Sequence, residues 1–207
     1  MTPLELDTPH GTARAHLDPA PDPRGALVLG HGAGGSVTAR DLVAVGGVAR
    51  EAGLTVVLVE QPYRVAGRRS SPPARQLDAA WTAVLEQLRA SGLAGLPLVV
   101  GGRSAGARVA CRTAGATGAA AVLCLAFPLL APSTKSAPVS RLPELDAVGL
   151  PALVVQGASD RFGVPPAGPD RRVVVVRGDH RLTTDLAAVV EAVRAWLPGV
   201  VAAAAGR

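Results

Sequence analysis

Leu98-Val99-Val100-Gly101-Gly102-Arg103-Ser104-Ala105-Gly106 sets an uninterrupted apolar run directly before a glycine-framed serine, with small, helix-compatible residues beyond. A short apolar run bounded by glycines reads as a strand buried on both faces. The chain must then turn sharply into a helix at Ser104, which leaves the hydroxyl standing at the carboxyl end of the strand. Glycines suit positions 102 and 106 because a side chain at either would collide with the adjoining strand or helix. Glycine is abundant here, 24 residues in 207, so Gly-x-Ser-x-Gly alone is a weak signal. Its place between strand and helix gives it weight.

Outward from this turn the same alternation recurs. Residues 4–7 and 11–17 read as two short strands of an antiparallel sheet edge, split by Thr8-Pro9-His10. Residues 26–29 form an apolar run between Gly25 and Gly30, where a parallel sheet begins. Thr38-Ala39-Arg40-Asp41 resembles a capping box, and Leu42, Val45, Val48 and Ala49 keep helical spacing as far as Gly53. Strands follow at 55–59, 98–100, 121–126, 152–155 and 172–176. Helices carry Leu77, Trp81, Val84, Leu85 and Leu88, then the small residues after Ala105, then Leu186, Val189, Val190, Val193 and Leu197. The pattern predicts an α/β fold, a mostly parallel doubly wound sheet with helices on both faces. Residues 1–199 form one domain and 200–207 a frayed small-residue tail. Segment 128–151 is rich in Pro and Ser and too short of apolar periodicity for a sizeable cap domain.

Composition narrows the function classes. The hydrophobic 48% is dispersed in short runs, none near the roughly 18 residues of a membrane span, so no membrane partner is expected. Met1-Thr2-Pro3-Leu4-Glu5-Leu6-Asp7 has neither the basic start nor the apolar run of a signal peptide, and a cytoplasmic location is expected. The net charge of +5 comes from scattered arginines with little aromatic content for base stacking, which argues against nucleic acid. Cys111 and Cys124 match no zinc spacing, and the histidines 10, 16, 31 and 180 include no metal-binding pair, so neither a disulfide nor a metal is expected. No cofactor is called for, and the sequence does not set the oligomeric state.

Two further residues follow Ser104 at the ends of later strands. Asp160 closes Gln156-Gly157-Ala158-Ser159-Asp160, and His180 follows Arg177-Gly178-Asp179. Serine is a poor nucleophile at neutral pH until an imidazole takes its proton, and a carboxylate then holds the useful tautomer. The order Ser, acid, His fits this chemistry, with Ser104 as nucleophile, His180 as base and Asp160 as the acid. Asp179 ranks below Asp160, because neighbouring side chains in an extended segment diverge. In Leu29-Gly30-His31-Gly32-Ala33-Gly34-Gly35 glycines let backbone N–H groups turn inward, making Ala33 one candidate oxyanion donor and Ala105 the other. Candidate substrate contacts are His31, Gly34, Tyr63, Arg64 and Arg103. The basic loop 64–69 overlooks the same edge, although a solvated loop is the plainer reading.

The same glycines also spell Gly30-x-Gly32-x-x-Gly35, and Glu60 ends the next strand as a ribose-binding acid would, so a dinucleotide-binding fold is the rival. That reading starts its helix late, at Thr38, and gives Ser104, Asp160 and His180 no common purpose.

His31-Gly32-Ala33-Gly34-Gly35, Pro62-Tyr63 with Gly67-Arg68-Arg69, Gly101-Gly102-Arg103-Ser104-Ala105-Gly106, Gln156-Gly157 with Asp160, and Gly178-Asp179-His180 together resemble the compact α/β-hydrolase family related to dienelactone hydrolases. That family includes the NSL-complex subunit 3-like proteins and their small bacterial relatives. The resemblance covers most of the chain. It implies the α/β-hydrolase fold, a Ser104, Asp160 and His180 triad, and a serine esterase acting on a small acyl ester, thioester or lactone. Because members of the family serve as assembly components, it also allows a non-catalytic interaction module on the same fold. The departure from the family pattern is Ala105, where related chains often carry Met or a similar larger residue; the change widens the pocket and leaves the backbone donor.

Overall fold

The computed structural model describes residues 3–131 and 137–206. Eight strands form a single sheet: β1 (Leu4–Thr8), β2 (Gly11–Asp18), β3 (Gly25–Gly30), β4 (Leu54–Glu60), β5 (Leu98–Arg103), β6 (Ala121–Leu125), β7 (Ala152–Gly157) and β8 (Arg171–Val176). Their spatial order is β1-β2-β4-β3-β5-β6-β7-β8. β1 and β2 form an antiparallel hairpin that adds to β4, while all pairs from β4 to β8 are parallel. The apolar runs at 26–29, 121–125 and 152–155 lie wholly inside this parallel region, covered on both faces.

The two faces alternate along each strand. Ala26 and Val28, with Val100, Val122 and Val154, face α3 (Ala74–Arg89) and α4 (Ala105–Thr113), through Leu77, Trp81, Leu85 and Ala107. Leu27 and Leu29, with Val99, Leu123 and Leu153, face α1 (Arg40–Glu51) and α6 (Leu186–Ala205), through Leu42, Val45, Val189 and Val193. The helical positions read from spacing are those buried in α1 and α3.

Several boundaries differ from expectation for identifiable reasons. α1 begins at Arg40 with Ala39 in the cap position and no side-chain cap. The Thr38 hydroxyl pairs with Ser36, 2.8 Å, and Asp41 turns inward to Arg103, so no capping box forms. β5 continues to Arg103 because Gly101 and Gly102 still pair with β6. Two short helices, α2 (Pro62–Val65) and α5 (Leu142–Asp146), are too brief to leave apolar periodicity in the sequence.

The expected frayed tail is instead the end of α6, which runs through Ala205 and buries Val201 beside Gly25; Arg207 lies outside the described residues. α6 is long and apolar enough to cross a membrane by length and composition, yet Val189, Val193 and Leu197 pack it onto the sheet. No cap domain interrupts the fold among the described residues. Segment 128–151 contributes α5 and an isolated bridge between Leu130 and Ser140; its residues 132–136 lie outside the described residues.

In an open parallel sheet, ligands gather outside the carboxyl ends of strands where the strand order reverses. β3 is flanked by β4 and β5, so that point falls between the loop after β3 and the turn after β5. Ser104 and the loop 31–35 meet there.

Candidate active site

Ser104 sits between β5 and α4 at φ 53°, ψ −107°, a backbone conformation that side-chain-bearing residues seldom adopt. Its N–H donates to the Leu125 carbonyl, 2.9 Å, which pins the turn to β6. The neighbouring glycines are steric necessities. A Cβ at Gly102 or at Gly106 would stand 2.4 Å from the Gly30 carbonyl oxygen, because the elbow passes directly over the end of β3.

His180 reaches this serine from the loop after β8. Its Nε2 accepts from Ser104 Oγ, 3.0 Å, and its Nδ1–H donates to Asp160 Oδ2, 2.7 Å. Backbone packing makes that reach available: a Cβ at Gly157 would stand 2.4 Å from the Asp179 carbonyl, so the loop lies against the end of β7. Leu182, at φ 55° and fully buried, anchors the far side of the loop in the core. The Phe162 ring meets the imidazole edge-on, with centroids 4.7 Å apart.

Asp160 is held in turn. Its Oδ1 accepts the Phe162 N–H, 2.9 Å, and its Oδ2 accepts from Gln156 Nε2, 2.7 Å. The same Gln156 amide reaches the Phe127 and Gly163 carbonyls. Sequence reasoning gives Phe162 no role and Gln156 only a place in the motif with Asp160; the signal for Gln156 is a polar residue in the otherwise apolar run of β7. Asp179 turns away to accept the Arg181 N–H, 2.9 Å.

The loop after β3 is framed from below. His31 is buried and uses both ring nitrogens: Nε2 accepts the Gln61 N–H, 3.1 Å, which leaves Nδ1–H to donate to the Gly32 carbonyl, 2.8 Å. Burial pushes this imidazole below its ordinary value, although the Gly32 carbonyl and Glu60 pull the other way. The Tyr63 hydroxyl donates to the Ala33 carbonyl, 2.6 Å, and burial raises that phenol above its ordinary value. Gly32 lies against the elbow, since a Cβ there would be 3.6 Å from the Ser104 Cβ. Ala105 is the first residue of α4, where an amide has no partner within the helix.

Four of the five candidate substrate contacts make hydrogen bonds within the protein itself. His31 and Tyr63 brace the loop 31–35. Arg103 donates from Nη2 to the His180 carbonyl, 2.9 Å, and sets Nε 2.9 Å from Asp41 Oδ2 as an ion pair. Arg64 folds back on the Arg68 carbonyl, 3.3 Å, closing its own turn. Gly34 stands at the open tip of its loop, with no atom within 4 Å of a side chain there. Arg68, from the basic loop, lines a separate cavity of about 350 Å³ with His10, Thr12, Gln61 and Gln76, and neither Ser104 nor His180 borders it.

The rival dinucleotide reading fails on the same geometry. Gly30 is held close by the Gly106 backbone and the Trp81 ring, α1 starts ten residues after β3 ends, and Glu60 faces His16 on β2 at 3.7 Å.

The model of the alpha/beta hydrolase domain family matches residues 23–184, a span that holds Ser104, Asp160 and His180. No curated protein matches the chain. Among solved structures, Est1E from Butyrivibrio proteoclasticus superposes with a TM-score of 0.79 at 18% identity, over 98% of this chain and 100% of that one. XC6422 from Xanthomonas campestris, described as a serine hydrolase without lid, gives 0.71 at 23% identity over 95% of each chain. The dienelactone hydrolase from Anabaena variabilis gives 0.73 at 18% identity, again over 95% of each. The likeness to these structures is one of fold, and the family match spans most of the sequence. The chain therefore belongs to the α/β-hydrolase domain family.

Proposed function

We propose that this protein is a serine hydrolase that cleaves a small acyl ester, thioester or lactone. The observation that carries the reading is the chain from Asp160 Oδ2 through both nitrogens of His180 to Ser104 Oγ, with separations of 2.7 and 3.0 Å and a strained serine at its end. A structural serine needs neither the strain nor an imidazole whose second nitrogen is held by a buried carboxylate.

In this reading Ser104 Oγ attacks the acyl carbonyl while His180 Nε2 takes its proton. Asp160 fixes the tautomer and stabilises the imidazolium that forms. The tetrahedral oxyanion is met by the amides of Ala33 and Ala105, the second of which adds the positive end of α4. His180 returns the proton to the leaving alcohol or thiol. Water, deprotonated by the same imidazole, then attacks the acyl-enzyme and frees the acid and Ser104. In a lactone the leaving alcohol stays tethered to the acyl group. Two structural neighbours, named as a dienelactone hydrolase and a serine hydrolase without lid, support the hydrolase reading. The short segment 128–151 favours small substrates.

Labelling with a fluorophosphonate tests the reading, followed by a screen of short-chain acyl esters, thioesters and lactones. Failure of the folded wild type to label would leave a non-catalytic module on the same fold.

A further inference from the structure

We propose that Arg103 is a positioning residue that sets the distance between Ser104 and His180 by bracing the His180 main chain against Asp41 and the loop after β3. The inference rests on the serine-hydrolase reading above. One guanidinium meets three elements. Nη2 donates to the His180 carbonyl, 2.9 Å; Nε lies 2.9 Å from Asp41 Oδ2 in the first turn of α1; and Nη1 lies 3.1 Å from where a side chain at Gly32 would begin.

The strut is covalently next to the nucleophile, so Ser104 and the carbonyl of its base are tied through one side chain. Asp160 and Phe162 hold the imidazole ring, and Arg103 adds the tie to the His180 main chain that bears on the 3.0 Å contact. The arrangement also explains Asp41. That side chain is 2% exposed, and its Oδ1 accepts the Leu42 N–H, 3.0 Å. Burial pushes its carboxyl above its ordinary value, and Arg103 pulls it back. Removing either partner of such a buried pair leaves an uncompensated charge, so Asp41 and Arg103 depend on each other.

Only a planar fork serves both partners together. A lysine ammonium on its flexible stem lacks that fork and would not hold Asp41 and the His180 carbonyl in one fixed geometry. With Nη2 bonded to the His180 carbonyl and Nε paired with Asp41, two of the three guanidinium nitrogens are held by the protein itself.

The test compares wild type, Arg103→Lys, Arg103→Ala and the double variant Arg103→Met with Asp41→Asn, which leaves no buried charge unpaired should Arg103→Ala fail to fold. Two quantities are read: hydrolysis of a short-chain acyl ester, and the downfield proton NMR signal of the His180 Nδ1–H, assigned by its absence in His180→Gln. In all folded variants kcat is expected to fall roughly 10- to 100-fold with KM within about twofold. The imidazole signal should broaden or vanish, and methylguanidinium should restore part of the activity of Arg103→Ala. Wild-type kcat with a sharp, unmoved imidazole signal would overturn the proposal, as would a raised KM at unchanged kcat, which would make Arg103 a substrate contact. Should the wild type hydrolyse nothing, the hydrolase reading fails by itself and the NMR signal still decides the role of Arg103: loss in the folded variants upholds the strut, and an unchanged signal overturns it.

Discussion

His180 Nε2 stands 3.0 Å from Ser104 Oγ, although 76 residues separate the two in the chain. Both lie just beyond the carboxyl ends of parallel strands, Ser104 after β5 and His180 after β8, and Asp160 follows β7 between them. The sheet thus brings all three to one edge, where His180 reaches back to stand between Asp160 and Ser104. Transfer of the serine proton to His180 needs a short contact and a fixed imidazole, and the groups that fix it are open to mutation.

Asp160→Asn is expected to keep the fold and lower kcat by roughly 10²- to 10⁴-fold, because the amide no longer holds the His180 tautomer that leaves Nε2 free to accept from serine. Gln156→Met should act in the same direction but more weakly, about 10-fold, since it frees Asp160 Oδ2 from one of its two partners without removing the carboxylate. Steady-state kinetics on folded variants, checked by circular dichroism, decides both. A Gln156→Met enzyme slower than Asp160→Asn would reverse the assigned roles.

Tyr63→Phe removes the hydrogen bond to the Ala33 carbonyl and nothing else from the loop after β3. A loss of about 1 kcal/mol in stability is expected from the missing bond. If the Ala33 amide serves the oxyanion, kcat should drop about 10-fold with KM little changed, because such a donor works through placement. Chemical denaturation and kinetics on one preparation separate the two effects.

Stability should fall on mild acidification through His31. Its folded-state pKa lies below the unfolded value of 6.5. The unfolded chain therefore takes the proton first, and the stabilisation is whole above pH 6.5 and lost as pH falls through the folded value. The structural event is specific: a protonated Nε2 would turn a donor toward the Gln61 N–H. Asp41, whose carboxyl is raised by burial, contributes in the opposite sense, fully at low pH and less as pH rises through its folded value. The His31 effect is thus read as the difference between wild type and His31→Asn. Calorimetric Tm values between pH 5 and 8 should show a slope in wild type that flattens in the variant, and parallel curves would refute the assignment.

Gly106→Ala should destabilise by about 3 kcal/mol or more, because its Cβ would meet the Gly30 carbonyl oxygen at 2.4 Å and backbone cannot give way cheaply. Gly34→Ala, with open space at its side-chain position, should stay within about 0.5 kcal/mol of wild type. Urea unfolding of the pair tests whether the glycines at the elbow are steric requirements while Gly34 is not.

The contrast between these glycines shows what was legible in the sequence. Gly102 and Gly106 declared themselves by flanking a serine between an apolar strand and a helix, and the apolar runs with helical spacing gave the sheet and its covering helices. Asp160 and His180 could be read because each ends a strand. Arg103, His31 and Tyr63 read as residues facing a substrate, since a polar side chain near a nucleophile looks the same in sequence whether it points outward or is tied to a carbonyl. Asp41 reads as part of a capping box for the same reason: its partner Arg103 lies 62 positions away, and only the folded chain brings the two together. Helices of four and five residues, such as α2 and α5, carry too few turns to show a period.

The most direct measurement is stoichiometric labelling of the purified protein by a fluorophosphonate probe, followed by intact-mass spectrometry, for wild type, Ser104→Ala and His180→Ala. One adduct per chain in the wild type, none in Ser104→Ala and at least about 10³-fold slower labelling in His180→Ala is the expected result. A folded wild type that takes up no label, or a Ser104→Ala protein that labels as well as the wild type, would contradict the assignment of Ser104 as the nucleophile.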